Sequence, residues 1–241
     1  MNNCELTGKT AFVTGSSRGI GRAAADELAA RGARVIFHAS RPTELLKGKE
    51  CFCGDLGDPA AVTGLADEMG KRGVSPDILV LNASVQSYTG VDSFLPEEFD
   101  RMFQVNVKSA FLLLNRLAPA MRRRKWGRII FTGSINSDRP AMRLGVYSAT
   151  KGALITLARA CAREYAGDGI TVNTVLPGVI ATDRNAAALA DPEFAEKLRR
   201  QIPAGRFGTP EDCAGVIAFL ASENASYVTG AEIPVSGGWQ L

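Results

Sequence analysis

Histidine is nearly absent from this sequence: His38 is the only one among 241 residues. A zinc site built from several imidazoles, or a serine hydrolase triad, would have to be assembled around this single ring. The sequence therefore argues against hydrolytic chemistry of either kind, and we expect no metal site.

Cysteine is also scarce and irregularly spaced. No pair follows C-x-x-C spacing and the total is odd, which favours free thiols in a reducing compartment over disulfides. We expect Cys51 and Cys53 to pack in a strand. The five cysteines are Cys4, Cys51, Cys53, Cys161 and Cys213.

Long apolar runs are missing as well. None approaches the roughly 20 residues of a membrane-spanning helix, and Met1 to Thr10 lacks the basic and apolar segments of a signal peptide. The net charge of +3, from 28 basic and 25 acidic residues, is too small to indicate a polyanion partner. We therefore expect a cytoplasmic protein that binds neither membranes nor nucleic acid.

What the sequence does contain is a regular alternation of two patterns. Apolar residues make up 46% and charged residues 22%, the balance of a globular domain with a sizeable core. Short β-branched runs, typical of buried parallel strands, cover Thr10 to Thr14, Arg34 to Phe37, Ile78 to Leu81, Arg128 to Thr132, Ile170 to Val175 and Glu232 to Val235. Helical patterns between them cover Ile20 to Arg31, Pro59 to Arg72, Pro96 to Arg123, Tyr147 to Ala166, Pro192 to Gln201 and Pro210 to Ser222.

This alternation predicts an α/β fold: one doubly wound parallel sheet with helices on both faces, joined by right-handed crossovers. No linker-like stretch divides the chain, so residues 1–241 are predicted to form a single domain. Ser40 to Glu50 is too short for a crossover helix, since a crossover usually takes at least ~10 to 12 residues. We expect a loop or a single turn there.

A glycine-rich loop joins the first predicted strand to the first predicted helix. Glycines are needed where the backbone turns sharply and lets a pyrophosphate approach main-chain N–H groups at a helix N-terminus. Gly15, Gly19 and Gly21 fill these positions, although an ordinary glycine-rich turn would read the same in isolation. The strand before the loop and the helix after it favour a dinucleotide site.

The segment about 20 residues beyond that loop has no carboxylate for a ribose 2′-hydroxyl. It reads His38-Ala39-Ser40-Arg41. Arg41 here and Arg18 inside the loop carry guanidinium groups that suit a 2′-phosphate. The sequence therefore predicts NADP(H) rather than NAD as the cofactor. The alternative is that both arginines are solvated surface charges.

Tyr147 and Lys151 are four residues apart at the start of a predicted helix, so they share one face. Tyrosine titrates near ~10, and an ammonium that favours its anion would fit it for acid–base work at neutral pH. Ser134 follows a predicted strand at the carboxyl edge, where open α/β sheets bind ligands. Its hydroxyl is then placed to polarise a substrate carbonyl.

With these motifs the chain resembles the short-chain dehydrogenases/reductases over essentially its whole length. The resemblance implies a Rossmann fold and hydride transfer between a nicotinamide and a ketone or secondary alcohol. It implies Ser134, Tyr147 and Lys151 as catalytic residues: tyrosine moves the proton, serine holds the substrate oxygen, and lysine also binds the nicotinamide ribose. It adds Asn106, in a Phe-Gln-Val-Asn-Val segment, as the residue that orders a water in the proton relay.

The resemblance also implies a wider set of cofactor contacts. Asp55-Leu56 resembles the family's adenine contact, and the segment from Pro177 to Thr182 resembles its nicotinamide side. The implied cofactor-binding residues are Gly15, Ser17, Arg18, Gly19, Ile20, Gly21, Ser40, Arg41, Asp55, Leu56, Asn82, Ala83, Tyr147, Lys151, Pro177, Gly178, Ile180 and Thr182.

The chain departs from the family pattern in two places. The usual Asn-Asn-Ala-Gly after the fourth strand reads Leu81-Asn82-Ala83-Ser84, which loses a glycine suited to close backbone approach. The usual Asp-Gly-Gly near the end reads Ser236-Gly237-Gly238. Neither change touches the four implied catalytic residues.

Within the family, the chain looks most like the gluconate 5-dehydrogenases, through Gln86 and a predicted substrate-loop insertion at about 182–208. Arg139, Arg143 and Arg184 offer cationic hydrogen bonds to a carboxylate. We therefore expect a sugar acid such as gluconate or 5-ketogluconate as substrate. Surface or interface positions would equally explain Arg139 and Arg143.

Other functions remain open at this point. A 3-oxoacyl-(acyl-carrier-protein) reductase shares the scaffold and would dock an acidic carrier on the basic run 122–125, although cations at a helix C-terminus need no partner. A non-catalytic NADPH-binding regulator is a different class, against which the complete catalytic set argues. The family usually assembles through its two long helices and last strand, so a homo-oligomer, a tetramer or dimer, is expected.

Overall fold

The computed structural model describes residues 5–241, so the prediction for Cys4 lies outside the described residues. Its strands are β1 (Thr10–Val13), β2 (Arg34–Ala39), β3 (Cys51–Cys53), β4 (Ile78–Leu81), β5 (Gly127–Thr132), β6 (Ile170–Pro177) and β7 (Glu232–Val235). They form one sheet in the order β3-β2-β1-β4-β5-β6-β7, and every pairing is parallel. The predicted α/β fold is confirmed. The order reverses between β1 and β4, which is where such sheets open a crevice for ligands.

The helices lie close to their predicted positions. They are α1 (Gly19–Ala30), α2 (Pro59–Lys71), α3 (Pro96–Phe103), α4 (Ser109–Arg124), α5 (Gly145–Tyr165), α6 (Ala186–Leu189), α7 (Pro192–Arg200) and α8 (Pro210–Ala221). Side-chain caps explain several sharp starts: Asp58 accepts from Ala60 N–H before α2, and Thr209 forms a capping box before α8. No helix within residues 5–241 is long and apolar enough to cross a bilayer.

Side chains alternate across the buried strands and build a core on each face of the sheet. Phe12, Ile36 and Leu79 point to the face covered by α2, α4 and α5, whereas Val13 and Val35 point to the face covered by α1 and α8. Helices on both faces bury β4 and β5 along their whole length and β1 beyond Thr10, which explains why these strands read as nearly continuous apolar runs. The sheet is therefore doubly wound, as predicted.

One predicted helix is interrupted. The pattern from Pro96 to Arg123 predicts a single helix, but a π-helical turn over Gln104–Lys108 separates α3 from α4. Such turns insert a residue into the helical ladder and often occur at functional sites. Here the turn contains Asn106, whose side chain bonds to the backbone of Val85 across the crevice. Helical periodicity does not reveal this insertion, because the flanking turns keep the apolar spacing.

The short segment after β2 folds as expected, with one 3-10 turn at Glu44–Leu46. Cys51 and Cys53 lie in the edge strand β3, which confirms their strand placement. Packing is only partial, because Cys51 is half-buried and Cys53 is exposed at the edge of the sheet. The four cysteines of the described region are all free thiols.

Candidate active site

The glycine turn between β1 and α1 is shaped by close backbone contacts. Gly15 has a φ of +63°, and a Cβ there would lie 3.0 Å from Ala83 Cα. A Cβ on Gly21 would lie 2.4 Å from both Asn82 Nδ2 and Gly15 O. Any side chain at Gly21 would therefore push α1 away from the turn. The first N–H groups of α1 have no intrahelical partner, and such groups at a helix N-terminus suit an anion.

Thr14 ties this turn to the end of β4. Its hydroxyl oxygen accepts from Asn82 N–H at 2.9 Å and from Ala83 N–H at 3.0 Å. Asn82 Nδ2 in turn donates to Thr14 O at 3.0 Å. These bonds fix the two loops that border the crevice. Thr14 was not among the predicted site residues, since a threonine ending a strand carries no sequence signal of this role.

The single histidine also serves this site. His38 is buried at the end of β2, its Nδ1 accepts from Gly15 N–H at 3.0 Å, and its Nε2 lies 3.0 Å from Gly54 O. Because Nδ1 accepts from a backbone amide, the neutral ring carries its proton on Nε2 and donates it to Gly54. Burial lowers the pKa of His38. The neutral imidazole therefore bridges the glycine turn and the loop after β3 through two hydrogen bonds.

The residues predicted for the adenosine end lie at the carboxyl edge of the sheet. Arg18 precedes α1 directly, and its guanidinium is 3.7 Å from Asp183 with both side chains exposed. Ser40 and Arg41 are exposed just beyond β2. Leu56 is buried beyond β3. Both guanidinium groups are therefore open to solvent at this edge.

Asp55, the other residue of the predicted adenine contact, is exposed. Its carboxylate accepts from Gly57 N–H at 2.8 Å and pairs with Arg101 at 3.4 Å. The carboxylate thus caps a local turn and binds a cation of α3.

The segment after β6 returns to the glycine turn. Gly178 N–H donates to Val235 O at 2.9 Å, and Ile180 forms an isolated bridge with Gly208. Thr182 is so placed that its methyl carbon would lie 3.5 Å from a Cβ on Gly19. The two predicted cofactor segments, from distant parts of the chain, therefore meet across the crevice.

The four predicted catalytic residues are all buried beside this crevice. Ser134 follows β5, Tyr147 and Lys151 lie in the first turns of α5, and Asn106 lies in the π-helical turn. Ser134 Oγ accepts from Asn136 N–H at 3.1 Å, which leaves its own hydrogen free to donate. The Ser134 side chain interacts with the Tyr147 hydroxyl.

Lys151 is held deep in the site. Its Nζ donates to Thr132 O at 2.7 Å and lies 5.6 Å from the centre of the Tyr147 ring. Burial, together with the positive charge of Arg184, lowers the pKa of Lys151 to about 7. The ammonium expected beside the tyrosine is therefore only part of the population at neutral pH.

The surroundings of Tyr147 favour its protonated, phenolic form. Burial raises the pKa of Tyr147 above its ordinary value, while the charge of Arg184 and the interaction with Ser134 act in the opposite direction. We expected Lys151 to supply the favourable charge; the cation that acts on the Tyr147 hydroxyl here is Arg184. A protonated phenol at neutral pH suits proton donation to a substrate oxygen.

Asn106 is fully engaged by protein groups. Its Nδ2 donates to Val85 O at 2.9 Å and to Thr150 Oγ1 at 3.0 Å, and its Oδ1 accepts from Val85 N–H at 2.8 Å. These contacts join the π-helical turn, the loop after β4 and helix α5. Asn106 thus fixes the wall of the crevice opposite the glycine turn.

The predicted substrate residues separate into two groups. The charge of Arg184 lowers the pKa of Tyr147, and its guanidinium donates to Ser84; Gln86 is half-buried in the loop after β4. Arg139, by contrast, donates to Trp239 O and Leu241 O at the C-terminus, and Arg143 is exposed with a φ of +64°. Tyr88, which acts electrostatically on Tyr147, is an unpredicted neighbour of the site.

The basic run at the end of α4 is largely paired within the chain. Arg122 and Lys125 both bind Asp168, and Arg124 lies 3.2 Å from Asp77. These pairs account for three of the run's four cations, and Arg123 points to solvent. Within residues 5–241 no group of three or more histidine, cysteine or acidic side chains is arranged to hold a metal ion.

Comparison with known proteins identifies the family. A family model described as enoyl-(acyl carrier protein) reductase matches residues 15–240. The 3-oxoacyl-(acyl-carrier-protein) reductase FabG of Escherichia coli is 38% identical over 245 aligned positions, covering 97% of this chain and 98% of that protein. The chain belongs to the short-chain dehydrogenase/reductase family. It is accordingly an oxidoreductase.

Solved structures of this family match the whole fold. A 3-oxoacyl-(acyl-carrier-protein) reductase of Agrobacterium tumefaciens with NADP bound is 40% identical, with a TM-score of 0.91 over 97% of this chain and 95% of that one. A gluconate 5-dehydrogenase of Burkholderia cenocepacia, in complex with NADP and tartrate, is 31% identical, with a TM-score of 0.92 over 99% of this chain and 97% of that one. Relatives of both substrate types therefore share this scaffold.

This short-chain dehydrogenase/reductase accommodates both departures from the family pattern. Leu81 is buried at the end of β4, and Ser84 accepts hydrogen bonds from Arg184 through its carbonyl and hydroxyl oxygens. Ser236 lies against Gly178, where an added Cβ would be 2.8 Å from Ser236 Cα. The first departure thus alters the crevice itself, whereas the second alters the packing behind it.

Proposed function

We propose that this protein transfers hydride between NADP(H) and a ketone or secondary alcohol. The observation that carries the proposal is the buried Tyr147 hydroxyl, which lies beside Ser134 and Lys151 at the carboxyl edge of the sheet, next to the glycine turn. Acid–base groups and a pyrophosphate cradle at one crevice are what nicotinamide chemistry requires. Bound NADPH would supply the hydride for reduction.

The proton chemistry falls to the protein. In ketone reduction Ser134 donates a hydrogen bond to the substrate oxygen, since the bond it accepts from Asn136 N–H leaves its hydroxyl hydrogen available. Tyr147 gives its phenolic proton to that oxygen, and in alcohol oxidation it takes the proton back. Lys151 is bonded to Thr132 O, its Nζ lies 5.6 Å from the centre of the Tyr147 ring, and it would bind the nicotinamide ribose. Asn106 holds the opposite wall through its bonds to Val85 and Thr150.

The glycine turn fits the pyrophosphate, and the flanking segments fit the rest of the cofactor. Ser17, Gly19 and Ile20 offer backbone N–H groups at the start of α1. The exposed guanidinium groups of Arg18 and Arg41 suit a 2′-phosphate, which favours NADP over NAD. Two relatives of similar fold were solved with NADP, and this supports the same choice here. Asp55 and Leu56 would hold the adenine, and Thr182 would border the nicotinamide.

We further propose a sugar acid as the substrate class. Support comes from Arg184, whose guanidinium is bonded to Ser84 in the loop after β4 and whose charge acts on Tyr147, and from the gluconate 5-dehydrogenase relative, whose structure holds tartrate. The second candidate, a 3-oxoacyl-(acyl-carrier-protein) reductase, is favoured by the FabG relative at 38% identity. Asp168 and Asp77 pair with Arg122, Arg124 and Lys125, which lowers the net positive charge of the surface that a carrier protein would need.

One kinetic screen tests this function. Turnover is measured with NADPH and with NADH against 5-ketogluconate, neutral keto-polyols and a 3-oxoacyl thioester, and with NADP against gluconate. We expect NADPH-dependent reduction of the keto acid to exceed the other rates. Faster reduction of the thioester would favour a 3-oxoacyl-(acyl-carrier-protein) reductase. NADPH binding without any turnover would favour a non-catalytic NADPH-binding regulator.

The organisation of the chain is proposed on the same basis. Residues 1–241 form one oxidoreductase domain, and the loop at about 182–208 covers the substrate. Phe99 on α3 and Phe111 on α4 are exposed on the long helical segment, as expected for a tetramer or dimer interface. Light scattering at micromolar concentration tests the oligomer; a monomer would contradict it. A cytoplasmic location remains a prediction.

A further inference from the structure

Two thiols lie side by side on the edge strand of the sheet. Cys51 and Cys53 are two residues apart in β3, so both side chains project from the same face of the strand. Their sulfur atoms are 3.8 Å apart, and one thiol donates a weak hydrogen bond to the other. Cys51 packs partly against the core beneath α1 and α8, whereas Cys53 is exposed. The proposed catalytic chemistry uses neither thiol.

The backbone of β3 brings the two cysteines within reach of a disulfide. Within residues 5–241, β3 pairs only with β2, so its outer edge is held by no further strand. A strand rises about 3.3 Å per residue, which sets the two cysteine Cα atoms about 6.6 Å apart. Disulfides take Cα separations of about 4.4–6.8 Å, most often about 5.5–6 Å. A bond between Cys51 and Cys53 therefore favours a shorter β3.

The same strand leads directly into the predicted adenine contact. Gly54, the first residue after β3, donates its N–H to Ala39 O at 3.1 Å, and its carbonyl oxygen accepts from His38 at 3.0 Å. The Asp55-Leu56 pair comes next in the chain. A disulfide that shortens β3 would displace Gly54 and, through the His38 ring, the glycine turn. The thiol pair is therefore linked through bonds to two parts of the proposed cofactor site.

We propose that Cys51 and Cys53 form a reversible intrachain disulfide that weakens NADP(H) binding. The oxidant is a low-molecular-weight disulfide, the class of compound that sets the thiol poise of reducing compartments. Disulfides in such compartments are mostly transient, catalytic or redox-sensing. The inference rests on the proposed function and adds control of the same cofactor site by redox state.

The exchange takes two steps. The exposed Cys53, as its thiolate, attacks one sulfur of the small disulfide, forms a mixed disulfide and expels the first small thiolate. Cys51 then attacks the Cys53 sulfur, which forms the intrachain bond and expels the second small thiolate. The protons of both cysteines pass through water to the departing thiolates, so two protein thiols are oxidised while one small disulfide becomes two thiols. Burial and the neighbouring Cys53 raise the pKa of Cys51 to about 12, which makes Cys51 the second thiol to react.

The experiment equilibrates the full chain in glutathione buffers from fully reduced to fully oxidised and then blocks the free thiols. Mass spectrometry of the peptide that contains both cysteines reports the disulfide as a loss of two hydrogens with no glutathione attached. Fluorescence titration gives the dissociation constant for NADP in each state; the oxidised cofactor is used because NADPH is itself a reductant. The proteins are the wild type, Cys51→Ser and Cys53→Ser, with Cys161→Ala as a control that removes a buried thiol of α5.

We expect oxidation to raise the dissociation constant for NADP by about 5-fold or more, the lower end of the usual coupling between two sites. Because such coupling is reciprocal, saturating NADP should lower the equilibrium constant for oxidation by the same factor. Cys53→Ser should form no disulfide and should bind NADP equally well in every buffer. Cys51→Ser should stop at the mixed disulfide on Cys53, and Cys161→Ala should behave like the wild type.

The outcomes separate the disulfide, its effect and the proposed function. If the intrachain bond forms at no glutathione ratio, or if either cysteine pairs elsewhere instead, the proposal is overturned. Equal NADP affinity in the oxidised and reduced wild type overturns the effect on the cofactor even where the bond forms. Absence of NADP binding to the reduced protein overturns the proposed function and the coupling with it, a result distinct from either failure of the thiol pair.

Discussion

His38 Nδ1 accepts a hydrogen bond from Gly15 N–H at 3.0 Å, and this bond joins the end of β2 to the turn that follows β1. On its other side the ring donates to Gly54 O, beyond β3. One neutral imidazole in β2 thus links the two loops that follow β1 and β3. The arrangement works only while the ring is neutral, because a protonated imidazole has no acceptor for the Gly15 amide.

His38→Leu should therefore weaken NADPH binding and lower the free energy of unfolding by about 1–3 kcal/mol, since Gly15 N–H loses its acceptor. In the wild type the folded pKa of His38 is lowered. The unfolded chain then takes up the proton first, near pH 6.5, and stability falls as the pH drops below that value. Urea unfolding between pH 5 and pH 8 measures this, and the same acid loss in His38→Leu would contradict it.

Gly21→Ala should abolish tight NADPH binding. Its Cβ would lie 2.4 Å from Asn82 Nδ2 and from Gly15 O, so the turn or α1 must move. Gly64→Ala is the matched control: this glycine is exposed in α2 with nothing near its Cβ position, and the change should stabilise the protein by about 0.4–1 kcal/mol. Fluorescence titration with NADPH compares the two. If Gly21→Ala binds NADPH with wild-type affinity, the glycine turn is not the pyrophosphate site.

Most of the fold was predictable because buried parallel strands leave a strong signal. Ile78–Leu81 and Glu232–Val235 have the predicted bounds, and α2 begins at the predicted Pro59. Strand β3 was harder to delimit, since it has only three residues and exposes one cysteine at an edge. The π-helical turn at Gln104–Lys108 was not predicted, because the spacing of apolar residues does not show where the backbone hydrogen bonds change from the α-helical to the π-helical pattern.

The site was predictable only where chemistry requires a particular residue type. The four-residue spacing of Tyr147 and Lys151 and the glycine-rich loop that contains Gly21 are both recognisable in the sequence. His38 and Thr14 act through hydrogen bonds to backbone atoms 16 to 69 residues away, and such partners are set by the tertiary fold. The charge of Arg139 suggests a carboxylate ligand just as that of Arg184 does. In the structure, however, Arg139 donates to the carbonyl oxygens of Trp239 and Leu241.

Removing both predicted phosphate-binding cations should change cofactor choice. Arg18→Ala with Arg41→Ala should raise KM for NADPH by about 10-fold or more, because charge-assisted hydrogen bonds to the 2′-phosphate are lost. KM for NADH, which has no such phosphate, should change far less. Steady-state kinetics with both cofactors provide the measurement. An unchanged preference for NADPH would show that Arg18 and Arg41 are only surface charges.

Lys151 should make stability rise with pH across the alkaline range. Its pKa is about 7 in the folded protein, against about 10.4 in an unfolded chain. Between these values the unfolded state binds the additional proton, so the free energy of unfolding increases with pH. In cofactor-free protein, the gain from pH 7 to pH 10 should exceed that of Lys151→Met by on the order of 3 kcal/mol. If the free energy of unfolding rises equally with pH in the wild type and in Lys151→Met, this prediction is wrong.

Tyr147→Phe removes the proton donor while keeping the ring that packs against Met102 and Leu144. We expect kcat for ketone reduction to fall by about 10²- to 10⁴-fold, the range for loss of a positioned general acid. The dissociation constant for NADPH should change far less, since the cofactor is held mainly by the glycine turn. Because burial raises the pKa of Tyr147, wild-type reduction should persist at neutral pH, whereas alcohol oxidation should accelerate as the pH rises. Stopped-flow hydride transfer and equilibrium binding separate these effects, and near-normal turnover in Tyr147→Phe would assign the proton to another group.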